Sequence, residues 1–432
     1  MKKLSMFQII LLVVFGALAI AGILIFAFAV GGGTNNSVGS LTIWGTLDQT
    51  AITAVLRQAA DNDSSISQVT YVQKDATTYE ADLTQALANG TGPDLFFLRD
   101  DYATKDAGEV AAIPFNALSQ AQFQSTFVDA ASPFMALNGV LGVPLLADPL
   151  VLYWNKDMLS SAGYASAPQY WDQLFDMAKT ISKKNDAGVI TRSAIDFGEY
   201  QNVENAKDIL ATLILQAGGQ ITTLDTANRL EPALVSKSGQ ASDATQNALR
   251  FYTEFADPSK DDYSWNRSLP DAQQAFAAGN LALYIGYASE KSLITRTNPN
   301  LNFAAAPVPQ IRNAPRTLDT SHVYALAASR TGKNPSAAIT AAYLLASAAN
   351  SQAFSTALGI PSARRDDLSA PAQGDNDLFN KMVITSHSWV DPDPSQTNGI
   401  FQAMIENTTS GALLLSDAIS RANQALGQLL GI

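Results

Sequence analysis

Residues 41–98 run from LTIWG to LFFL, and the order of the elements in this stretch decides the fold. Short apolar or alternating runs, which are typical of strands, take turns with segments whose apolar residues recur at helical spacing. This strand–helix–strand–helix–strand order predicts a parallel α/β sheet with right-handed crossovers. The predicted elements, in chain order, are a strand at 41–45, a helix at 51–60, a strand at 69–73, a helix at 79–88 and a strand at 95–98.

The same two patterns continue to the end of the chain. Further strands are predicted at 151–155, 281–286, 302–308 and 323–329, and helices around 171–178, 209–216, 272–278 and 415–429. No long linker divides the chain after residue 40, and no repeat of 20–50 residues occurs. The sequence therefore predicts two intertwined α/β lobes rather than separate domains or a solenoid.

The N-terminus predicts a membrane segment. Lys2 and Lys3 precede Ile9–Val30, a run without a charged or polar side chain. Such a run is about the length that a helix needs to cross a bilayer core. The positive-inside rule then leaves the N-terminus in the cytoplasm and the main domain outside. Residues 1–30 are predicted as a transmembrane helix or signal anchor, and residues 31–40 (GGGTNNSVGS) as a flexible stalk.

A cleaved signal peptide is the alternative, because Ala27-Phe28-Ala29 fits a small-x-small cleavage site. The apolar run is longer than the usual apolar region of a signal peptide, which favours a single-pass anchor in the cell membrane. Both interpretations place the main domain outside the cytoplasm.

Composition excludes several classes of function. The 432 residues include no cysteine, so disulfides, thiolate metal sites, a cysteine nucleophile and a lipidated cysteine are excluded. The formal net charge of −12 argues against nucleic acid and anionic lipid surfaces as partners.

The sequence offers little support for catalysis. The histidines number two, His322 and His387, and no metal-binding, phosphate-binding or nucleophile-elbow motif occurs. Ser321 precedes His322, but neighbours on a strand point to opposite faces and are poorly placed to act as a nucleophile and base. No spacing selects a carboxylate pair from the 39 acids, although a glycosidase stays open. We predict a non-enzyme, with no catalytic residue, metal or cofactor.

Aromatic and polar residues follow the predicted strands. Trp44 and Gly45 end the first strand, Arg99–Tyr102 follows LFFL, and Tyr287 follows Gly286. Ligands of α/β sheets bind at the carboxyl ends of strands. Aromatic faces with carboxylates suit a sugar, because rings cover its C–H face and acids accept its hydroxyls. Core packing of Trp44 and a solvated loop at 99–102 are the alternatives.

Four stretches in order carry a resemblance to a family. They are GTGPDLFFL (90–98), GVPLLADPLVLYWNKDML (142–159), WDQL (171–174) and FAAGNLALYIG (276–286). From about residue 41 to the C-terminus, the chain resembles the extracellular solute-binding proteins of ABC importers, of the sugar-binding, maltose-binding-protein-like type.

The resemblance implies a two-lobe, periplasmic-binding-protein-like α/β fold with crossing hinge strands. Lobe one is expected to hold 41–148 with 287–345, and lobe two 149–286 with 346–432. A ligand that touches both lobes stabilises the closed state. A monomer that delivers its solute to ABC permease subunits is implied.

The resemblance also implies a ligand site. Asp148 could instead serve a hinge turn beside Pro149, and Tyr200 could be a packed surface aromatic. The residues expected at the site are Trp44, Gly45, Asp48, Arg99, Asp100, Asp101, Tyr102, Asp148, Glu199, Tyr200, Gly286, Tyr287, Ser321, His322 and Trp389.

A carbohydrate, in particular an oligosaccharide, is the expected ligand. Asp100, Asp101 and Asp148 would favour a cation, so a polyamine or a peptide stays open, as does a sensor without a transporter. The chain departs from the family in lacking the cysteine to which lipid is attached, and the first thirty residues are expected to replace that anchor. The 99–102 loop is only roughly like that of the maltodextrin binders, so substrate identity does not carry over.

Overall fold

A computed structural model of the protein describes residues 37–236, 239 and 242–432. The predicted membrane segment at 1–30 and most of the stalk lie outside the described residues. Within the described part of the chain, no helix combines the length and the apolar character needed to cross a membrane.

The main element is a ten-stranded sheet. Its strands follow the order β2-β1-β3-β13-β6-β11-β8-β7, with β12 also pairing β6 and β14 pairing β13. The first three strands are parallel, as predicted. The strands are β1 Leu41–Gly45, β2 Val69–Gln73, β3 Leu95–Arg99, β4 Met135–Ala136, β5 Gly139–Val140, β6 Val143–Asn155, β7 Lys183–Lys184, β8 Ile190–Ile195, β9 Thr222–Leu224, β10 Leu230–Pro232, β11 Leu281–Tyr287, β12 Phe303–Pro307, β13 Asp319–Ala328 and β14 Ser386–His387.

Helices cover the sheet, and local sequence signals set several of their ends. Asp48 caps the first helix by accepting the Ala51 N–H at 2.8 Å, and Asn155 ends β6 and accepts the Met158 N–H at 3.0 Å. The helices are α1 Gln49–Asn62, α2 Tyr79–Ala88, α3 Gln120–Thr126, α4 Lys156–Ser161, α5 Gln173–Ile181, α6 Ala206–Gln216, α7 Asp243–Glu254, α8 Ala272–Ala277, α9 Lys291–Thr297, α10 Pro335–Leu345, α11 Ala348–Leu358, α12 Arg365–Leu368, α13 Asp375–Ile384, α14 Pro394–Thr409 and α15 Leu415–Leu429.

Two hydrophobic cores define two lobes, and β6 crosses between them. Its residues 143–147 contribute to the first core, and residues 150–153 contribute to the second. β13 lies antiparallel to both β3 and β6, and β11 is antiparallel to the second half of β6. The predicted two-lobe fold with crossing strands is confirmed.

The two cores divide the chain differently from the expected lobes in several places. Ala288, Ile294 and Val308 belong to the second core, because β12 pairs with the far half of β6. Residues 354–368 contribute to the first core instead of the second. This segment returns to lobe one beside β6, where the Ala147 N–H donates to the Pro361 carbonyl at 2.9 Å.

Candidate functional site

A pocket lies where the two lobes meet, and it is called the cleft pocket below. Its enclosed volume is small, about 30 Å³ for the centre of a water molecule, and about 380 Å³ is free of protein atoms when the open solvent at its mouth is included. Its walls come from the turn after β3, the first turns of α6, the end of β11, the start of β13, and β14 with the segment after it. The lining residues are Asp100, Asp101, Lys207, Asp208, Ala211, Tyr287, Thr320, Ser321, His322, His387, Ser388, Trp389 and Asp391.

The end of β3 supplies an ion pair from lobe one. Arg99 donates from Nε and Nη2 to the two oxygens of Asp101, each at 2.6 Å. This bidentate geometry is the strong form of a guanidinium–carboxylate contact. Burial raises the pKa of Asp101, but Arg99 and His322 outweigh it and hold that pKa below its usual value. Asp101 is therefore ionised and already partnered.

His322 stands between carboxylates from both lobes. Its Nδ1 lies 3.2 Å from Asp100 Oδ1, and its Nε2 lies 3.6 Å from Asp208 Oδ2. Burial and Arg99 lower the pKa of His322, whereas the surrounding aspartates raise it more, to about 10. The imidazole is therefore a cation at neutral pH and can donate from both nitrogens.

A buried ion pair forms the lobe-two wall of the pocket. Lys207 Nζ donates to Asp391 Oδ2 at 2.9 Å and to Thr397 Oγ1 at 3.3 Å. Lys207 is only 7% exposed. Burial raises the pKa of Asp391 to about 6, although Lys207 opposes that rise. The Trp389 ring lies beside this pair, with its centroid 5.9 Å from Lys207 Nζ.

Asp148 lies at the point where β6 passes from one core to the other. Asp148 is 2% exposed and accepts the Ser289 N–H at 3.1 Å. In the register of β6 and β13 it lies opposite His322. Burial raises its pKa to about 6, against the effect of the Ser289 hydrogen bond. The structure thus gives Asp148 a contact to lobe two at the hinge.

The structure brings several of the predicted site residues together. Arg99 and Tyr102 adjoin the cleft pocket through Asp101, with the Arg99 guanidinium 5.5 Å from the Tyr102 ring centroid. Six predicted residues line the pocket itself, and they are Asp100, Asp101, Tyr287, Ser321, His322 and Trp389.

Three of the predicted residues, at the end of β1 or shortly after it, have structural roles. The Trp44 ring lies under the Lys74 ammonium, which is 3.5 Å from the ring centroid. Asp48 caps α1. A Cβ at Gly45 would lie 2.6 Å from the Phe97 side chain, so close packing requires glycine there.

Three predicted residues of lobe two also lie outside the pocket lining. Glu199 pairs with Arg267 at 3.2 Å, and Tyr200 packs against the second core. A Cβ at Gly286 would meet Tyr284 and Glu290. Gly286 lies within β11, and the side chains of Glu199 and Tyr200 serve ion pairing and packing.

Sequence reasoning missed several lining residues, chiefly Lys207, Asp208, His387 and Asp391. Lys207 and Asp208 occupy the first turn of α6, where charged residues are also ordinary on a solvated helix face. Asp391 belongs to the Asp-Pro-Asp-Pro run after Trp389, which was the only local signal for this segment.

The chemistry of the pocket is that of an ion-pair network. Asp100, Asp101 and His322 bring potential metal-ligand atoms within 4.8 Å of one another. However, Arg99 holds both oxygens of Asp101, and both imidazole nitrogens face carboxylates. Ser321 and His322 do not form a nucleophile–base pair, because both nitrogens of the imidazole face aspartates.

Comparison with known proteins agrees with this architecture. Curated binding proteins of Brucella abortus (strain 2308) and Brucella suis biovar 1 (strain 1330) are each 25% identical over 231 residues, which is 52% of this chain and 52% of theirs. The chain thus spans about half the length of the curated relatives that it matches.

Solved structures of low identity share the fold over most of the chain. The GacH receptor of Streptomyces glaucescens has a TM-score of 0.70 at 18% identity, covering 91% of this chain and 98% of its own. A solute-binding protein of Thermotoga lettingae bound with α-D-tagatose has 0.71 at 21%, covering 91% and 100%. The cyclic α-maltosyl-1,6-maltose binding protein of Arthrobacter globiformis has 0.72 at 16%, covering 90% and 98%.

The sequence profile of one family matches residues 51–352, more than two thirds of the chain. This match begins after β1 and covers β2, β3, the crossing strand β6 and the strands β7 to β13. The protein belongs to the bacterial extracellular solute-binding proteins.

Proposed function

We propose that this protein is the extracytoplasmic receptor of an ABC importer. It captures a carbohydrate between its two lobes, acts as a monomer without catalysing a reaction, and delivers the sugar to membrane permease subunits. Family membership and structural neighbours bound to tagatose, acarbose and maltotetraose support this function.

The observation that carries the proposal is the two-sided lining of the cleft pocket. Asp100 and Asp101 come from lobe one, whereas Lys207, Asp208 and Tyr287 come from lobe two. A solute held by both walls is bound more tightly by the closed state than by the open one, and it therefore shifts the protein toward closure. The closed state differs in shape from the open one, which a permease can recognise.

The charge arrangement favours a neutral polyhydroxyl solute. Asp101 is paired with Arg99, Asp391 with Lys207, and Asp100 shares His322 with Asp208. Carboxylates paired in this way keep lone pairs that can accept sugar hydroxyls, while their charge is largely neutralised. Tyr287 and Trp389 add aromatic faces suited to the C–H face of a sugar ring.

The test is a thermal-shift and calorimetry panel on the full-length protein. Monosaccharides, maltooligosaccharides, a polyamine and short peptides are compared at matched concentrations. A sugar present at about a hundred times its Kd should stabilise the protein by about 2.7 kcal/mol. Stabilisation by another solute class, with none by any sugar, overturns the carbohydrate assignment.

A cationic solute such as a polyamine is the second candidate. The pocket lining holds Asp100, Asp101, Asp208 and Asp391, one more acid than the three cations paired with them. An ammonium ligand would then displace His322 or Lys207 from its carboxylate. Spermidine binding that weakens steeply with salt supports this candidate, and salt-independent sugar binding counts against it.

Attachment to the membrane is proposed for the N-terminal segment. The uncharged run Ile9–Val30 is long enough to span a bilayer core, and the chain has no cysteine for a lipid. We expect the protein to stay with the membrane after a high-salt wash and to keep its N-terminal Met–Lys–Lys or Lys–Lys sequence. A mature N-terminus directly after Ala29 would instead show a freely diffusing receptor.

A further inference from the structure

Helix α6 is joined to the first half of β13 by a regular series of polar contacts, called the α6–β13 ladder below. Residues 208, 212 and 216 of the helix face residues 322, 320 and 318 of the strand segment. The rungs are Gln216 Nε2 to the Leu318 carbonyl at 2.9 Å, Thr212 Oγ1 to Thr320 Oγ1 at 2.6 Å, and His322 Nε2 to Asp208 Oδ2 at 3.6 Å.

The spacing of the ladder follows from the two backbone geometries. Four residues of an α-helix rise about 6 Å, and two residues of a strand rise about 6.6 Å. Every fourth side chain of α6 can therefore meet every second residue of the antiparallel strand. The match accounts for three consecutive rungs, and the longest contact, at His322, is the rung whose two residues both line the cleft pocket.

The ladder connects the two lobes. Ile209 and Leu213 of α6 belong to the second core, whereas Val323 and residues 325–328 of β13 belong to the first. His322 is the last strand residue before the first core begins. Its other nitrogen faces Asp100, which is fixed in lobe one by accepting the Val323 N–H at 2.8 Å.

An aromatic ring and several charged groups pack around His322. The Tyr287 ring from β11 covers its face, with the centroids 4.7 Å apart. Burial and Arg99 act against the protonated form, and the three aspartates of lobe one and α6 outweigh them, which raises the pKa of His322 to about 10. The charged groups around it are Arg99, Asp100 and Asp101 from lobe one, Lys207 and Asp208 from α6, and Asp148 from β6.

We propose that His322 and Asp208 form a clasp that holds the cleft closed in the absence of ligand. The imidazole, fixed to Asp100 of lobe one, holds Asp208 of lobe two, so the closed state keeps a contact that opening breaks. A closed population in the empty receptor then lowers the cost of closing around a solute, whatever the solute is. The clasp therefore goes beyond the proposed function and does not depend on the identity of the ligand.

The absence of cysteine allows the lobes to be labelled selectively. Gln85→Cys on α2 and Ser416→Cys on α15 place one spin label on an exposed position of each lobe. The distance distribution between them is measured by double electron–electron resonance in the ligand-free protein. Circular dichroism of each variant verifies that it is folded.

We expect the doubly labelled parent protein to give mainly the short distance. His322→Gln and Asp208→Asn, each of which keeps the shape and hydrogen-bonding groups but removes the charge, should lower the closed-to-open ratio roughly tenfold. The double variant should open no further than the single ones, because both changes remove the same contact. Asp176→Asn, which removes an exposed carboxylate from another lobe-two helix, is the matched control and should leave the distribution unchanged.

An unchanged distribution in both single variants overturns the clasp, as does a ligand-free parent that is already open. Additive opening in the double variant also overturns it, because the two residues would then act separately. None of these outcomes bears on whether the protein binds a sugar, which is decided by the calorimetry panel.

Discussion

The Tyr287 ring lies nearly parallel to the His322 imidazole, with the ring centroids 4.7 Å apart and an angle of 25° between the planes. Tyr287 ends β11 in lobe two, and His322 lies on β13 where that strand enters lobe one. The contact therefore lies at the junction of the lobes. Tyr287 is also one of the residues that line the cleft pocket.

Replacing Tyr287 by Leu should lower the affinity for the sugar about tenfold, because the aromatic face is lost while the site stays apolar. Tyr287→Phe keeps the face and should retain most of the affinity. Calorimetric titration of both variants with the best sugar of the panel measures this. Equal losses in the two variants would assign the effect to the hydroxyl instead of the ring.

The two candidate tryptophans should behave differently. Trp389 lines the cleft pocket, whereas Trp44 lies outside the lining, under the Lys74 ammonium. We expect Trp389→Ala to weaken ligand binding at least tenfold and Trp44→Ala to leave the Kd within about twofold. Trp44→Ala should instead lower the unfolding temperature modestly, since the ring packs against the first core. A large loss of affinity in Trp44→Ala would extend the site to the end of β1.

The buried Lys207–Asp391 pair should be costly to break from one side. Lys207→Met leaves the Asp391 carboxylate buried with Thr397 and backbone groups as its partners, and it should destabilise the protein by about 3–5 kcal/mol. Urea unfolding followed by fluorescence measures the change.

The double variant Lys207→Met with Asp391→Asn removes both charges and is the matched control. It should recover a substantial part of the lost free energy of unfolding. Losses that simply add in the double variant would show that the two side chains do not stabilise each other.

Asp148 should make stability depend on pH. Its pKa is raised to about 6 by burial, whereas the unfolded chain has an ordinary aspartate. The native state therefore holds more protons between about pH 4 and pH 6, and stability falls as the pH rises through that window. Above pH 6 the cost of a buried charge is fully present.

Asp148→Asn removes that cost and keeps an oxygen that can accept the Ser289 N–H. We expect the variant to be about 2 kcal/mol more stable than the parent at pH 7.5 and similar to it at pH 4. Chemical denaturation at both pH values measures the difference. A variant that is less stable at both pH values would contradict the raised pKa of Asp148. It would mean that the native site stabilises the charged carboxylate.

The sequence by itself determined the elements and the family of this protein. Alternating and helical periodicities placed β1, β2, β3, α2 and the C-terminal helix correctly. An element that buries one face carries apolar residues at a regular local spacing, which can be recognised in the sequence. Asn155 could likewise be recognised as the start of α4, since capping involves residues three apart.

Only the tertiary structure decided which polar residues share the cleft pocket. Asp208 and His322 are far apart in the chain, and a charged first turn of α6 looks the same in sequence whether it faces water or another lobe. The same limit applies to the expected lobe boundaries, which differ from the division of the two cores, and to Trp44, which lies outside the lining of the cleft pocket. Periodicity shows that a face is buried, but the partner across that face depends on long-range strand pairing, which brings β13 and α6 together at His322.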